Sequence, residues 1–181
     1  MRRVILMGLR GSGKSTLGRA LAQRRGVGFV DLDDRTLALL GVPTASEAFS
    51  RLGEPAFRAA ETRALQQALA EPDVGVIALG GGTPTAPGAE PLLRAAAQSA
   101  DLIYLRCTPA ELRRRLDITG GPDANRPSLT GRDPLDEITE VFNARDPLYT
   151  RLATRVLESV GSVDNGLSAL ETSQAPDSPA R

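Results

Sequence analysis

The sequence predicts a three-layer α/β/α fold, a five-stranded parallel sheet covered on both faces by helices, and three observations carry that expectation. Short apolar runs bounded by turn residues alternate with longer stretches of helical spacing. The first run opens directly into a glycine-rich loop and then a helix. The 181-residue length suits one domain with a core of its own.

The strands are expected at Val4 to Met7, Val27 to Asp31, Val74 to Leu79 and Leu102 to Arg106, with a weaker fifth near Arg155 to Val160. Runs apolar on both sides belong to a sheet buried on both faces, which is the parallel kind. Leu17, Ala20, Leu21 and Arg24 place a helix after the first strand. Between the second and third strands three short helices are expected: 34–40 stopped by Gly41, 46–52 stopped by Gly53, and 55–70 with Pro55 at its start and Pro72 beyond its end. A crossover needs less than this, so residues 34–61 read as inserted substrate-binding helices on a core of 1–33 and 62–117. A further helix runs from about Leu135 and ends at Asp146-Pro147. The Gly- and Pro-rich polar stretch of about 118–133 reads as a mobile lid, and 172–181 has the composition of a disordered tail.

Composition narrows the chemistry. Lys+Arg 22 balances Asp+Glu 22, and no like-charge run exceeds Arg113-Arg114-Arg115, which argues against a general nucleic-acid binder. The first apolar stretch is too short for a secretory segment or membrane span, so a cytoplasmic protein is expected, and its small size favours a monomer. Cys107 is the one cysteine and stands at a strand end, as a structural thiol would. Without histidine, catalysis must rest on carboxylate, Lys, Arg and a metal.

Of the 22 basic side chains only Lys14 is lysine, and it lies in Gly8-Leu9-Arg10-Gly11-Ser12-Gly13-Lys14-Ser15-Thr16. This fits G-x-x-x-x-G-K-[ST], in which backbone N–H groups of a loop such as Gly11 to Thr16 cradle phosphate oxygens, the lysine reaches the β/γ-phosphates, and the hydroxyl, here Ser15, ligates Mg²⁺. Arginine, bulkier and planar, replaces a compact ammonium poorly there. The following helix adds the partial positive charge of its N-terminus.

Asp31 and Asp33, two apart on an extended chain, would point to one face at the carboxyl edge of the second strand. One carboxylate could then hold Mg²⁺ and the other accept a proton from an attacking hydroxyl. The competing reading is an Asp-rich turn with Asp34 as helix cap. Arg58 and Glu61 share a helix face beside Phe57, either as a surface pair or as a site where a ring rests on Phe and a carboxylate is gripped by Arg. Gly80-Gly81-Gly82 follow the third strand and would let backbone N–H groups approach a ligand. On the stripe Leu135, Ile138, Val141, Phe142 the next member is Arg145, whose partner is either an internal carboxylate or a substrate anion. Arg126 could close over the γ-phosphate.

Taken together, the phosphate loop, the Asp31-x-Asp33 pair, Gly53-Glu54 with Phe57-Arg58 and Glu61, Gly80-Gly81-Gly82, Arg126-Pro127 and Arg145-x-Pro147-Leu148-Tyr149 resemble the shikimate kinases, small P-loop kinases of aromatic amino-acid biosynthesis. The likeness runs from Val4 to about Val156. It implies transfer of phosphate from ATP to the shikimate 3-hydroxyl, with Asp33 as base. Asp33, Arg58, Gly81 and Arg145 would hold the substrate, with Gly80, Gly82 and Glu61 beside them. Phe49 and Phe57 would line its ring pocket. Ser15 and Asp31 would lie at Mg²⁺, Lys14 and Arg126 on the phosphates, and Arg115, counted from Tyr104-Leu105, against adenine. Other small-molecule P-loop kinases, for gluconate or a nucleotide, share the loop, though a nucleotide kinase needs no carboxylate base; a ligand sensor without turnover is the remaining alternative.

Overall fold

The computed structural model describes residues 2–118, 137–158 and 160–171. Strands β1 (Arg3–Met7), β2 (Gly28–Asp31), β3 (Val74–Ala78), β4 (Ala100–Arg106) and β5 (Arg155–Glu158) form one sheet in the order β2-β3-β1-β4-β5. Every neighbouring pair is parallel. Helices α1 (Lys14–Arg25), α2 (Leu32–Leu40), α3 (Ala45–Ala70), α4 (Ala89–Ala96), α5 (Pro109–Ile118), α6 (Glu137–Leu152) and α7 (Val163–Glu171) complete the described chain, with a 3₁₀ turn at Thr83–Thr85.

Central β1 explains the layering. Its side chains alternate, so Val4 and Leu6 enter a core with Leu17 and Leu21 of α1 and Leu167 and Leu170 of α7. Ile5 and Met7 enter the opposite core, with Leu65 of α3, Leu93 of α4 and Tyr149 of α6. Each fully buried Leu or Ile contributes on the order of 1.5–3 kcal/mol. Cys107 is a buried free thiol just past β4, its pKa pushed up by burial, as expected of a structural residue.

The insertion between β2 and β3 has its own small core of Val42, Ala45, Ala48 and Phe57, with Leu37, Leu40 and Phe49 against it. Gly41 ends α2 in the left-handed region, and Thr44 caps α3 by accepting from the Glu47 N–H at 3.1 Å. Helix α3 is two helices joined at Gly53 (φ 79°, ψ 163°), so the expected stop at Gly53 and restart near Pro55 describe it.

Two expectations are corrected. Strand β2 stops at Asp31 and α2 begins at Leu32, so Asp33 lies in a helix and the extended-chain reason for pairing it with Asp31 does not hold. Asp31 itself is the N-cap, in place of Asp34. Helix α6 does not end at Asp146-Pro147 but passes through Pro147 to Leu152. An interior proline costs about 3 kcal/mol. The helix is pinned at that point: Asp146 accepts from Arg106 Nε at 2.7 Å, Arg106 Nη2 at 2.9 Å and the Tyr104 hydroxyl at 2.9 Å, all on β4. Strand ends also shift: β2 starts at Gly28, β3 ends at Ala78 and β5 at Glu158. The expected lid with Arg126, and the tail, lie outside the described residues.

Candidate active site

The loop between β1 and α1 must fold back tightly, and its glycines allow it. Gly8 takes φ 154°, and a Cβ there would meet Ser12 Oγ at 2.6 Å and the Leu105 carbonyl at 2.7 Å. Gly13 (φ 92°) caps α1, so that Lys14 and Ser15 are its first residues. Lys14 is 7% exposed and its Nζ donates to the Leu9 carbonyl at 3.0 Å, so the charge stays inside the loop. Ser12 is buried too, and its Oγ has no hydrogen-bond partner among the described residues. A buried hydroxyl left unpaired costs about 1–3 kcal/mol, a cost that phosphate oxygens in the loop would remove. The loop opens onto a cleft of about 580 Å³ lined by residues 10–17, Asp33, Arg115 and the 160–163 segment.

Arg115 of α5 flanks this cleft. Its Nε donates to Glu111 Oε1 at 2.7 Å, its Nη2 to the Val160 carbonyl at 2.6 Å and its Nη1 to the Ser12 carbonyl at 3.4 Å. Glu111 receives hydrogen bonds from Arg114 and Arg115, which hold its carboxyl down at about 2. Helix α5 thus presents a guanidinium face tied to both walls of the cleft.

Asp31 caps α2 by accepting from the Asp33 N–H at 3.0 Å through Oδ1. That turn sends the two carboxylates to different tasks, and it is Asp33 that lines the cleft. Its Oδ1 lies 2.6 Å from where a Cβ on Gly80 would be. Of the two residues expected at a metal, Ser15 would offer a hydroxyl from the cleft lining, and Asp31 a carboxylate whose Oδ1 already accepts from the Asp33 N–H. This sparse oxygen set fits Mg²⁺, which keeps waters and shares substrate phosphates, and does not fit a cation caged by protein alone.

On the far side of Asp33, Glu61 is 2% exposed. Its carboxylate accepts from Arg58 Nη1 at 2.7 Å and from the Thr83 hydroxyl at 2.9 Å. Burial pushes the Glu61 carboxyl up, against the lowering effect of Arg58 and Thr83. Arg58 also donates to exposed Glu54 from Nε at 3.1 Å and Nη2 at 3.0 Å. The pair foreseen as either surface or site therefore joins a buried Glu61 to a largely covered Arg58, 13% exposed. Phe49 and Phe57 stack at 4.8 Å between centroids, and the Arg58 guanidinium lies 6.0 and 5.9 Å from their rings.

Glycines 80 to 82 have a reason beyond approach to a ligand. A Cβ on Gly80 would also meet Thr83 Oγ1 at 2.8 Å and Glu61 Oε1 at 2.9 Å, and one on Gly82 would overlap Arg58 Nη1. The missing side chains make room for the protein's own charged groups. Arg145 reaches a backbone partner that its place on the helix stripe did not suggest. Its Nη1 donates to the Gly81 carbonyl at 2.8 Å.

The structure places residues 10–17, Asp33 and Arg115 on the cleft, and Arg58, Glu61, Thr83 and the Gly81 carbonyl with Arg145 on the far side of Asp33, while Asp31 is spent on the cap. Thr83 was missed, although it directly follows the glycines. Tyr149 was noticed only as part of a motif, yet its hydroxyl donates to Gly81 at 2.6 Å.

Known proteins give the same assignment. A family model described as shikimate kinase matches residues 10–171. A shikimate kinase of Mycobacterium avium is 42% identical over 152 residues, covering 84% of this chain and 81% of that one. One from Saccharopolyspora erythraea is 40% identical over 157 residues, covering 87% and 84%. Among solved structures, shikimate kinase from Acinetobacter baumannii in complex with shikimate superposes with a TM-score of 0.83 at 29% identity, over 95% of this chain and 92% of that one. A gluconokinase from Sinorhizobium meliloti, at 18% identity and a TM-score of 0.54, shares the fold alone. With the family model spanning most of its length and these relatives in agreement, the chain belongs to the shikimate kinase family.

Proposed function

We propose that the chain transfers the γ-phosphoryl group of ATP to the 3-hydroxyl of shikimate, giving shikimate 3-phosphate and ADP. The observation that carries this reading is the position of Asp33, which lines the phosphate cleft and also packs on Gly80 beside Glu61. A carboxylate there reaches an acceptor hydroxyl on one side and faces the donor on the other.

In this reading the loop Gly11 to Thr16 holds the phosphates, Lys14 neutralises charge on the β/γ oxygens, and Arg115 rests on adenine. Helices of 34–61 form the acceptor lobe, where Arg58 and Arg145 grip the shikimate carboxylate and Phe49 and Phe57 pack on its ring. Gly80, Gly81, Gly82 and Glu61 complete the recess. Asp33 accepts the hydroxyl proton as the new O–P bond forms and the bond from the γ-phosphorus to the β–γ bridging oxygen breaks. Mg²⁺ held by Ser15 and Asp31 would offset the charge on the β and γ oxygens. Arg126, in the lid segment of about 118–133, would add a further positive charge. Catalysis is then mainly positioning and charge stabilisation.

Among the described residues no helix is long and apolar enough to cross a membrane, and we place this reaction in the cytoplasm, with the chain as a monomer. The test is coupled ADP release with Mg-ATP, offering shikimate, quinate, gluconate or a nucleoside monophosphate. Turnover with shikimate is expected. Turnover with gluconate or a nucleotide alone, or with none of the four, overturns the proposal.

A further inference from the structure

Tyr149 is the most deeply buried polar-tipped ring near the recess. It is 0% exposed, packs edge-on against Tyr104 at 5.5 Å, and spends its hydroxyl on one acceptor, the Gly81 carbonyl at 2.6 Å. Arg145, one helical turn earlier on α6, donates to the same oxygen at 2.8 Å. A carbonyl oxygen has two lone pairs, and here both donors come from the same helix face.

The arrangement is held by contacts on several sides. Burial lifts the Tyr149 hydroxyl to about 12, so it stays a donor throughout any working pH. Asp146, between the two donors, is fixed to β4 by both oxygens through Arg106. Gly81 has no side chain to hold its peptide in place, and the backbone of Arg10 lies 3.2 Å from where a Cβ would be. Three consecutive glycines are otherwise the loosest kind of chain. Because the peptide is planar and trans, anchoring the Gly81 carbonyl also sets the direction of the Gly82 N–H.

We propose that Tyr149 is a positioning residue for the acceptor site: its hydroxyl fixes the Gly81 peptide, and through that shared carbonyl it holds the Arg145 guanidinium in the direction from which it grips the substrate carboxylate. This rests on the shikimate reading of the site. The Tyr149 hydroxyl acts through the Gly81 carbonyl, and its ring lies against Tyr104. Its effect therefore falls on shikimate affinity and leaves the phosphoryl step and the nucleotide site alone.

The experiment compares Tyr149→Phe with Tyr104→Phe. Both delete one hydroxyl from the same ring pair, but only the first loosens Gly81, since Asp146 keeps its two bonds from Arg106 when Tyr104 loses its own. For Tyr149→Phe the KM for shikimate should rise about tenfold, the loss of roughly one hydrogen bond. The kcat at saturation should stay within about twofold and the KM for ATP should not move. Titration calorimetry should show the same weakening of shikimate binding without turnover. For Tyr104→Phe the KM for shikimate should be that of the wild type even if its Tm falls. An unchanged shikimate KM in Tyr149→Phe overturns the proposal, as does an equal rise in both variants or a parallel loss of ATP affinity, each of which marks a structural role. A wild-type chain that neither binds nor turns over shikimate overturns the reading of the site itself, and the positioning role with it.

Discussion

The Asp31 carboxylate accepts the backbone N–H of Asp33 at 3.0 Å, so one aspartate sets the turn on which the other is presented. The two are separable by substitution. Asp33→Asn leaves the cap intact and should keep the wild-type Tm while kcat at saturating shikimate falls about 10²–10⁴-fold, the usual contribution of a general base. Asp31→Ala should cost about 1 kcal/mol of stability through the lost cap and raise the Mg²⁺ concentration needed for half-maximal rate. Full kcat in Asp33→Asn would remove the base from the scheme.

Lys14→Arg keeps the charge but not the shape. The site is 7% exposed and ends at the Leu9 carbonyl, so a planar guanidinium does not fit without moving the loop. Steady-state kinetics should show kcat/KM for ATP lower by about 10²–10³-fold. A variant within threefold of wild type would refute the tight-cradle argument.

Gly82→Ala and Gly80→Ala should fail in different ways. The first displaces Arg58, so the KM for shikimate should rise about tenfold with little change in kcat. The second displaces Asp33 and Glu61 together, and kcat should drop about 10²-fold, the effect of a reacting group moved by roughly an ångström. The same pattern in both variants would mean that the loop acts as one unit.

Glu111 carries a pH signature. Its carboxyl is held at about 2 in the folded chain, below the ordinary 4.5, by Arg114 and Arg115. Its stabilising contribution is therefore complete above about 4.5 and is lost as pH falls from there towards about 2. Thermal melts of wild type and Glu111→Gln should differ most near neutral pH and converge on acidification. Because Glu111 also steadies Arg115, the variant should have a raised KM for ATP. A Tm difference that widens on acidification would contradict the sign.

Much of this molecule is visible in its sequence because its strongest signals are local. Short apolar runs bounded by turn residues mark the strands, and Gly8 to Thr16 dictates its own backbone. The pairing of Arg58 with Glu61 follows from helical spacing alone, but not its burial, which depends on Thr83 and on the glycines arriving from another strand. Pro147 misleads for a similar reason. Its local preference ends a helix, and the opposing anchorage of Asp146 lies 40 residues earlier in the chain, at Arg106. Asp33 shows where strand spacing misleads: β2 ends at Asp31, and Asp33 reaches the cleft from the first turn of α2, which Asp31 caps.

The single lysine has one more consequence. Apart from the chain's amino terminus, the ε-amine of Lys14 is the one primary amine in the sequence, and the loop shelters it. Acetylation, carbamylation or any amine-directed crosslinker therefore has one internal target, which a nucleotide bound as proposed would cover. The extent of such labelling, read by mass spectrometry of the intact chain, reports the fraction of molecules with an empty phosphate loop, with no engineered probe.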